Sequence, residues 1–383
     1  MNLPAAVFSI AVAAGAVWAI GALDDSVQPG VLAGRLSLQP GAAPSRIQSL
    51  YAEAPLRDSA NPNRWADLGD AFTLDNRIPA AAYCFQRALD LNRRLPQIWL
   101  RDANFHFQTG TGAAALQSAA RVLFTVPDYD AVLFNYFDRM IGDPAKVLAA
   151  IGRDRRASVS YAHHLIATGQ VDGARFAWRK LLQDGMADKA LAASYFDLLL
   201  GAHRYAAARE DWTGFSGGPK GPPNLLFNGG FEDDPTGVVF DWRIAPSGEF
   251  RTAIDDAVAH DGKRSLRVEF PGAANVSYAN VTQLAVAPPC AYNLRAWVRT
   301  GGITTNECPR LEILDPELPS RLDVRTEAFC GSRDWTLVTQ HFTVPAATSV
   351  LAVRVVRLPS GKFDNKIAGT FWLDSVTIEP AGD

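Results

Sequence analysis

Two stretches decide the fold of this chain, Asn224-Leu-Leu-Phe-Asn-Gly-Gly-Phe-Glu232 and Phe371-Trp-Leu-Asp-Ser-Val-Thr-Ile378. Each is short, rich in apolar and aromatic residues, and typical of a β-strand. They lie about 140 residues apart, and they open and close the last third of the 383-residue chain. We therefore predict that they form the first and last strands of one β-sandwich.

The sequence between these two stretches alternates apolar and polar residues with a period of two. The clearest runs are residues 265–270, 292–298 and 350–357. Turn pairs such as Asp261-Gly262 and Pro271-Gly272 separate the runs. Alternating runs separated by turns are typical of short antiparallel strands that bury one face. We therefore predict a β-sandwich or jelly roll.

Further phrases follow the opening stretch in a fixed order: Trp242, then 260–268, 281–283, 292–299, Trp335 and 342–345. With the two end strands, this order resembles the jelly-roll carbohydrate-binding modules of families 4, 9 and 22, a galactose-binding-like β-sandwich. The resemblance covers residues 224–380 and implies a domain that binds a glycan. One departure is Gly331-Ser332, where these modules usually have Gly-Thr.

The resemblance also implies a structural calcium ion. In such modules the ion commonly ties the first and last strands together through the Glu of the opening phrase and the Asp of the closing phrase. The matching residues are Glu232 and Asp374, with backbone carbonyls near Gly230 and Lys263 completing a set of oxygen ligands. The alternative is that Glu232 and Asp374 are exposed turn carboxylates.

Sugar binding needs a flat aromatic ring that stacks on a pyranose and planar polar groups that bind hydroxyls. Strand alternation predicts that five such side chains point outward from one concave sheet: Gln283, Arg295, Trp297, Glu312 and Arg354. Alternatively, Arg295, Glu312 and Arg354 form a cross-strand ion-pair ladder. An exposed Trp297 beside Gln283 and Arg295 would favour sugar binding, whereas a buried Trp297 would favour a protein adaptor.

The other tryptophans of the β-domain receive a structural interpretation. Trp242, Trp335 and Trp372 are predicted to pack in the core or at its rim.

A second signal precedes the β-domain, where Trp65 recurs as Trp99. Leu68, Gly69, Phe72, Ala81, Phe85 and Ala88 lie at the consensus positions that follow Trp65. The interval and the pattern resemble the tetratricopeptide repeat, although Asp102 in the next copy stands where Leu is expected. We predict about four to five helical hairpins within residues 43–212, with a blurred pattern between Leu133 and Arg156.

In tetratricopeptide arrays the first helices of successive hairpins line a groove for a peptide or a partner helix. The matching positions here are Asn63, Asp70, Gln97, Asn104 and Gln108. They are polar and nearly uncharged, which favours hydrogen bonds to a partner's backbone over a carboxylate clamp. The alternative is an ordinary solvated face.

An uncharged apolar run near the start, Ala5 to Leu23, is close to the length of a membrane span. We predict an anchor or signal segment over residues 1–25. The protein would then be held in the bacterial inner membrane with its domains in the periplasm, or it would be secreted if residues 1–22 are cleaved. Glycine and proline dominate residues 213–223, which predicts a linker that no helix or strand continues through. The β-sandwich then covers residues 224–383.

The net charge limits the classes of partner that the protein can bind, and the cysteines indicate the redox compartment in which it folds. A net charge of −3 gives no electrostatic footprint for nucleic acid. Cys308 and Cys330 would close a loop of about 22 residues, and we predict a disulfide between them. Cys84 is predicted to be a core thiol, and Cys290 has no obvious partner.

No catalytic constellation emerges from the sequence. Gly214-Phe-Ser-Gly-Gly218 has the spacing of a nucleophile elbow but lies in the linker. The pairs Asp233-Asp234 and Asp255-Asp256 are typical of solvated turns, although facing carboxylates would serve a glycoside-processing enzyme.

The sequence therefore predicts a multidomain α-then-β protein: a membrane helix, an α-helical tetratricopeptide-type solenoid and an antiparallel β-sandwich jelly roll. We expect a non-catalytic bacterial scaffold, an accessory factor in envelope or exopolysaccharide synthesis or export. It would bind a glycan through the sandwich and an envelope protein through the repeats. The alternative is a protein adaptor whose sandwich does not bind sugar.

Overall fold

A computed structural model describes residues 58–152, 154–217 and 224–381 of the chain. It divides into two compact units, Met1–His164 and Leu165–Asp383. The predicted membrane segment, residues 1–25, lies outside the described residues. No described helix combines the length and the apolar character that a membrane span requires.

Helices make up the first unit as far as the structure describes it. They are α1 (Pro62–Leu74), α2 (Ile78–Leu91), α3 (Pro96–Gln108), α4 (Gly112–Leu123), α5 (Asp130–Met140), α6 (Pro144–Ile151) and the start of α7 (Arg155–Ala167). A proline in the first turn starts α1 and α3, where its missing N–H costs nothing. The interval from the start of α1 to that of α3 equals the interval from α2 to α4 and from Trp65 to Trp99. The helices therefore follow the period of the sequence.

Equivalent contacts recur in the first two helix pairs. The indole Nε1 of Trp65 donates to the carbonyl of Ser59 at 2.9 Å, and that of Trp99 donates to Arg93 at 2.8 Å. A Cβ on Gly69 would lie 2.9 Å from the ring of Phe85. Glycine at this position therefore lets α1 and α2 approach closely.

The second unit begins with the end of α7 and continues through α8 (Val171–Gln183), α9 (Lys189–Gly201) and α10 (Tyr205–Ser216). The starts of α7 and α9 are again one full period apart, but the start of α7 follows that of α5 by a shorter interval. The short helix α6, with 8 residues, lies within this interval. The shortened third pair explains why the repeat pattern blurs between Leu133 and Arg156.

Helix α10 continues into the segment that composition predicts to be free of helix. It includes Gly214 and ends at Ser216, and Gly217 follows with a left-handed φ of 79°. Phe215 packs on Trp178, with ring centroids 5.4 Å apart. This contact outweighs the low helix propensity of one glycine.

Within the described residues 224–381, ten strands form two five-stranded antiparallel sheets. The strands are β1 (Arg243–Ile244), β2 (Arg251–Asp255), β3 (Ser265–Pro271), β4 (Tyr278–Ala285), β5 (Ala291–Ile303), β6 (Arg310–Leu314), β7 (Asp323–Arg325), β8 (Gly331–Thr343), β9 (Leu351–Arg357) and β10 (Ala368–Pro380). Sheet I has the order β1-β4-β9-β6-β7, and sheet II has the order β2-β3-β10-β5-β8. Their inner faces share one apolar core, so the predicted sandwich is confirmed.

The opening stretch is not a regular strand, so the prediction that it forms the first strand of the sandwich is wrong. Its backbone nevertheless hydrogen-bonds to the closing strand β10. The amide of Leu225 donates to the carbonyl of Ile378, and the amide of Val376 donates to that of Gly229. A Cβ on Gly229 would lie 2.0 Å from the Val376 carbonyl oxygen. Only glycine therefore fits there.

A disulfide closes one loop of the sandwich. Cys308 and Cys330 form the predicted disulfide, with a Cα–Cα distance of 5.3 Å. Cys84 is a buried free thiol as expected, and Cys290 is free and exposed.

Candidate functional site

The five residues predicted to bind sugar do not share one sheet. Gln283, Glu312 and Arg354 lie on sheet I, whereas Arg295 and Trp297 lie on sheet II. The prediction of a single concave face is therefore wrong. Period-two alternation shows which side chains of a strand point to the same side, but it does not show to which of the two sheets the strand belongs.

Gln283 points into the core, not outward. Its side chain is fully buried between Val281 and Ala285, which are also buried. The amide Oε1 accepts the N–H of Phe227 at 2.9 Å, and Nε2 donates to the Phe227 carbonyl at 2.8 Å. Gln283 thus pairs with the backbone of the opening stretch, which has no strand partner at that point.

On sheet I the ion-pair interpretation describes the observed contacts. The Glu312 carboxylate is 2% exposed and accepts from Arg354 Nε and from Arg325 Nε. Arg354, Glu312 and Arg325 are direct cross-strand neighbours on β9, β6 and β7. Arg295, the third member of the predicted ladder, lies on the other sheet.

The outer face of β5 on sheet II carries Arg295 and Trp297, as alternation predicts. Tyr292, Leu294, Ala296 and Val298 are buried, whereas Arg295 is exposed and Trp297 is half-buried. Arg295 has no ion-pair partner among the described residues.

A loop residue that the sequence did not single out covers Trp297. The imidazole of His260 lies parallel to the indole of Trp297, with ring centroids 3.7 Å apart and an interplanar angle of 13°. The half-buried Trp335 of β8 meets the same imidazole edge-on at 5.7 Å. Trp335 therefore belongs to an outer-face aromatic cluster, which we define as His260, Trp297 and Trp335.

Polar side chains continue this face along β5 and its neighbours. Arg295 lies opposite Thr339 of β8 and Thr377 of β10, and Asn293 lies opposite His341 and Glu379. The Asn293 amide and the His341 imidazole are 3.2 Å apart. Leu337, which is 38% exposed, lies opposite Trp297. We call Asn293, Arg295, Thr339, Thr377, His341 and Glu379 the polar strip.

The predicted calcium residues meet the loop that carries His260. Asp374 Oδ2 accepts the amides of His260 and Asp261 at 2.8 and 3.1 Å, and Glu232 Oε1 accepts the amide of Lys263 at 2.8 Å. Asp374 is fully buried, so it is not an exposed turn carboxylate, whereas Glu232 is exposed. Burial raises the pKa of Asp374 despite its backbone hydrogen bonds.

Side-chain atoms of both residues also lie near Gly230. A Cβ there would lie 3.8 Å from Asp374 Oδ1 and 3.9 Å from Glu232 Cγ. Among the described residues, no group of three or more acidic, histidine or cysteine side chains is placed to hold a metal ion. A cation here would therefore depend on backbone carbonyls for the rest of its ligands.

Trp242 and Trp372 pack as predicted. Trp242 is buried against Phe231 and donates to the Asn228 carbonyl at 3.0 Å. Trp372 donates from Nε1 to Asp255 at 2.9 Å, and the Arg299 guanidinium lies 5.6 Å from its ring centroid.

The predicted groove residues lie on the first helices of the first two pairs. Asn63 and Asp70 are on α1, and Gln97, Asn104 and Gln108 are on α3. Asp70 Oδ2 accepts from Arg101 Nε at 2.8 Å. The only acid of the set is therefore already paired.

Three of the carboxylates considered for catalysis are bonded to neighbouring side chains. Asp234 and Asp256 both pair with Arg264, and Asp255 is buried and bonded to Trp372. Ser216 ends helix α10, so its surroundings are not the strand-turn-helix of a nucleophile elbow.

Comparison with known proteins shows similarity only at the level of solved structures. No protein-family model matches the chain, and no curated protein matches it. One similar structure is the module TmCBM61 in complex with β-1,4-galactotriose, which has 17% identity, a TM-score of 0.30 and coverage of 42% of this chain and all of that one. Another is the CBM22-1 xylan-binding domain of Paenibacillus barcinonensis Xyn10C, with 13% identity, a TM-score of 0.28 and coverage of 40% and 92%.

A third similar structure is the enzymatically active domain of the bacteriophage CBA120 tailspike protein 4. It has 14% identity and a TM-score of 0.32, and the match covers 41% of this chain and 21% of the tailspike chain. Similarities at this level do not assign a ligand or a reaction to this chain.

Proposed function

We propose that the C-terminal sandwich binds a neutral glycan on the outer face of sheet II. The observation that carries the proposal is the juxtaposition of the outer-face aromatic cluster with the polar strip. Trp297 and Trp335 offer ring surface for a pyranose, and the unpaired Arg295 lies two residues from Trp297 on the same face. Arginine and glutamate occur together in the polar strip, which suits hydroxyl groups better than a charged sugar.

The test is a glycan array probed with the full chain, including bacterial polysaccharides. We expect binding that Trp297→Ala weakens about 30-fold, because a central aromatic anchor is typically worth about 2 kcal/mol. Leu358→Ala, at an exposed leucine outside the cluster and the strip, should bind normally. A folded wild-type chain that binds no glycan on a broad array would refute the proposal.

The helical pairs then serve a protein partner, and the chain is a non-catalytic exported scaffold. Their spacing supports a tetratricopeptide-type array, and the groove residues present amides with the one acid paired to Arg101. A photo-crosslinker at Asn104 should give one discrete adduct in bacterial cells. The same probe at Asn135, whose amide bonds its own helix at Ala131, serves as the control, and equal labelling at both positions would argue against a groove.

The proposed setting is envelope or exopolysaccharide synthesis or export in bacteria, with residues 1–25 as anchor or signal. An alkaline phosphatase fusion after residue 217 should be active, since that enzyme requires the oxidising periplasm. An inactive but intact fusion would place the chain inside the cell and remove this setting.

Structural calcium at Glu232 and Asp374 is part of the proposal. A buried carboxylate whose pKa burial raises would gain from a nearby cation, and the oxygen donors suit Ca2+. Calcium should raise the melting temperature of the wild type but not of the variant Glu232→Gln. Glu327→Gln is the control, because Glu327 lies in another loop and pairs with Arg333. No calcium response in the wild type would exclude the site.

A second candidate function is a protein adaptor whose sandwich does not bind sugar. The observation in its favour is that two of the predicted sugar ligands, Gln283 and Glu312, are fully engaged inside the protein. A negative glycan array combined with a positive crosslink at Asn104 would favour this function.

A further inference from the structure

The His260 side chain occupies the part of Trp297 that a sugar would need. The two rings are parallel at 3.7 Å, which is contact distance for stacked rings. A pyranose that stacks on an indole takes a similar position. His260 itself is exposed, so it lies between the indole and solvent.

Hydrogen bonds hold the backbone around His260, whereas ring contacts hold its imidazole. Asp374 holds the amides of His260 and Asp261, and Glu232 holds those of Lys263 and Arg264. The imidazole nitrogens make no hydrogen bond or ion pair among the described residues. Its contacts are with the rings of Trp297 and Trp335. A change of side-chain rotamer would therefore free Trp297 without breaking a hydrogen bond.

We propose that His260 is a removable cover over the stacking surface of Trp297 and sets the affinity of the site for glycans. The inference rests on the proposed glycan-binding function. A bound pyranose replaces the imidazole on the indole, so part of the stacking gained with the sugar offsets the stacking lost with histidine. Without the imidazole, the sugar stacks with no competitor.

The first test needs no glycan. Hydroxyl-radical footprinting of the full chain, read by mass spectrometry, should show Trp297 oxidised about threefold faster in His260→Ala than in the wild type. The matched control is His341→Ala, which removes an exposed histidine from β8 and leaves Trp297 covered. An unchanged rate of Trp297 oxidation in a folded His260→Ala protein would refute the proposal that His260 covers Trp297.

The second test uses β-1,4-galactotriose and xylohexaose as probes in calorimetric titrations of the full chain. His260→Ala should bind about fivefold more tightly than the wild type, as the loss of one competing ring contact implies. Weaker binding would mean that His260 is part of the sugar platform, which overturns the inference. Faster oxidation in His260→Ala without binding of either sugar or any array glycan would support the cover and refute the proposed glycan function.

Discussion

The indole of Trp212 on helix α10 meets the ring of Phe227 in the sandwich edge-on, with centroids 5.9 Å apart and planes at 85°. Trp212 also contacts Phe240 of the sandwich, and its side chain is 2% exposed. Arg209 on the same helix donates to the Leu225 carbonyl. The last helix and the sandwich are therefore packed together within the second unit.

This packing predicts that the sandwich depends on α10 for stability. Trp212→Ala should lower the free energy of unfolding of the second unit by about 3–5 kcal/mol, the usual cost of truncating a buried Trp. Chemical denaturation of the full chain, followed by far-UV circular dichroism and by fluorescence, measures it. Helix and sandwich signals should shift to lower denaturant together. If only the helical signal shifts, the two parts unfold independently.

A buried arginine is a second residue on which the stability of the sandwich is expected to depend. Arg357 is fully buried, and burial lowers its pKa. It donates to the carbonyls of Glu307 and Asn365 and to Asn275 Oδ1 at 2.9–3.1 Å, and also to the Val276 carbonyl. Replacing it leaves several buried acceptors without a donor, at about 1–3 kcal/mol for each that water cannot reach.

We therefore expect Arg357→Met to destabilise the sandwich by several kcal/mol and Arg357→Lys to restore only part of that loss, because one ammonium cannot reach acceptors in separate loops. Arg295→Met is the matched control: it removes an exposed, unpaired guanidinium and should change stability by about 0.5 kcal/mol or less. Equal melting temperatures for Arg357→Met and Arg295→Met would contradict the structural role of Arg357.

The disulfide predicts sensitivity to reduction. Cys308 and Cys330 are separated by 22 residues, and a loop of this size stabilises the fold by about 3 kcal/mol on the chain-entropy model. The double variant Cys308→Ser/Cys330→Ser should unfold at lower denaturant than the wild type under oxidising conditions. The two proteins should converge when reductant is added. Cys290→Ser, which removes an exposed free thiol, should behave as the wild type throughout.

The local sequence pattern predicted burial correctly where burial depends on the alternation within one strand or on the spacing within one helix pair. Alternation along β5 correctly separates buried Leu294 and Ala296 from outward Arg295 and Trp297. The period of the helical region recurs in the structure, where α3 and α4 begin one period after α1 and α2.

The same local pattern could not predict which distant segments contact each other in the folded chain. Gln283 faces inward because Val281 and Ala285 do, and its polar group is satisfied by Phe227, which is 56 residues away in sequence. His260 covers Trp297 because Asp374, on the last strand, holds its loop. Neither contact leaves a local signal, since both depend on how separate segments meet in the folded chain.

A buried carboxylate predicts how the sandwich responds to acid. Burial alone would raise the pKa of Asp255, but hydrogen bonds from Trp372 and from the amides of Ala257 and Val258, with the charge of Arg267, lower it below the ordinary value. The folded state therefore binds this proton less readily than the unfolded chain. The resulting stabilisation is present above the unfolded pKa of about 4 and is lost as the pH falls through the folded value.

We expect the free energy of unfolding of the wild type to fall more steeply with acid below about pH 4 than that of Asp255→Asn, because the variant has no proton to take up at this position. Denaturation at several pH values between about 2 and 6 measures both slopes. Asp334→Asn is the control, since Asp334 is exposed and lies 3.8 Å from the Arg299 guanidinium. Parallel curves for the wild type and Asp255→Asn would show that Asp255 has the same proton affinity in both states.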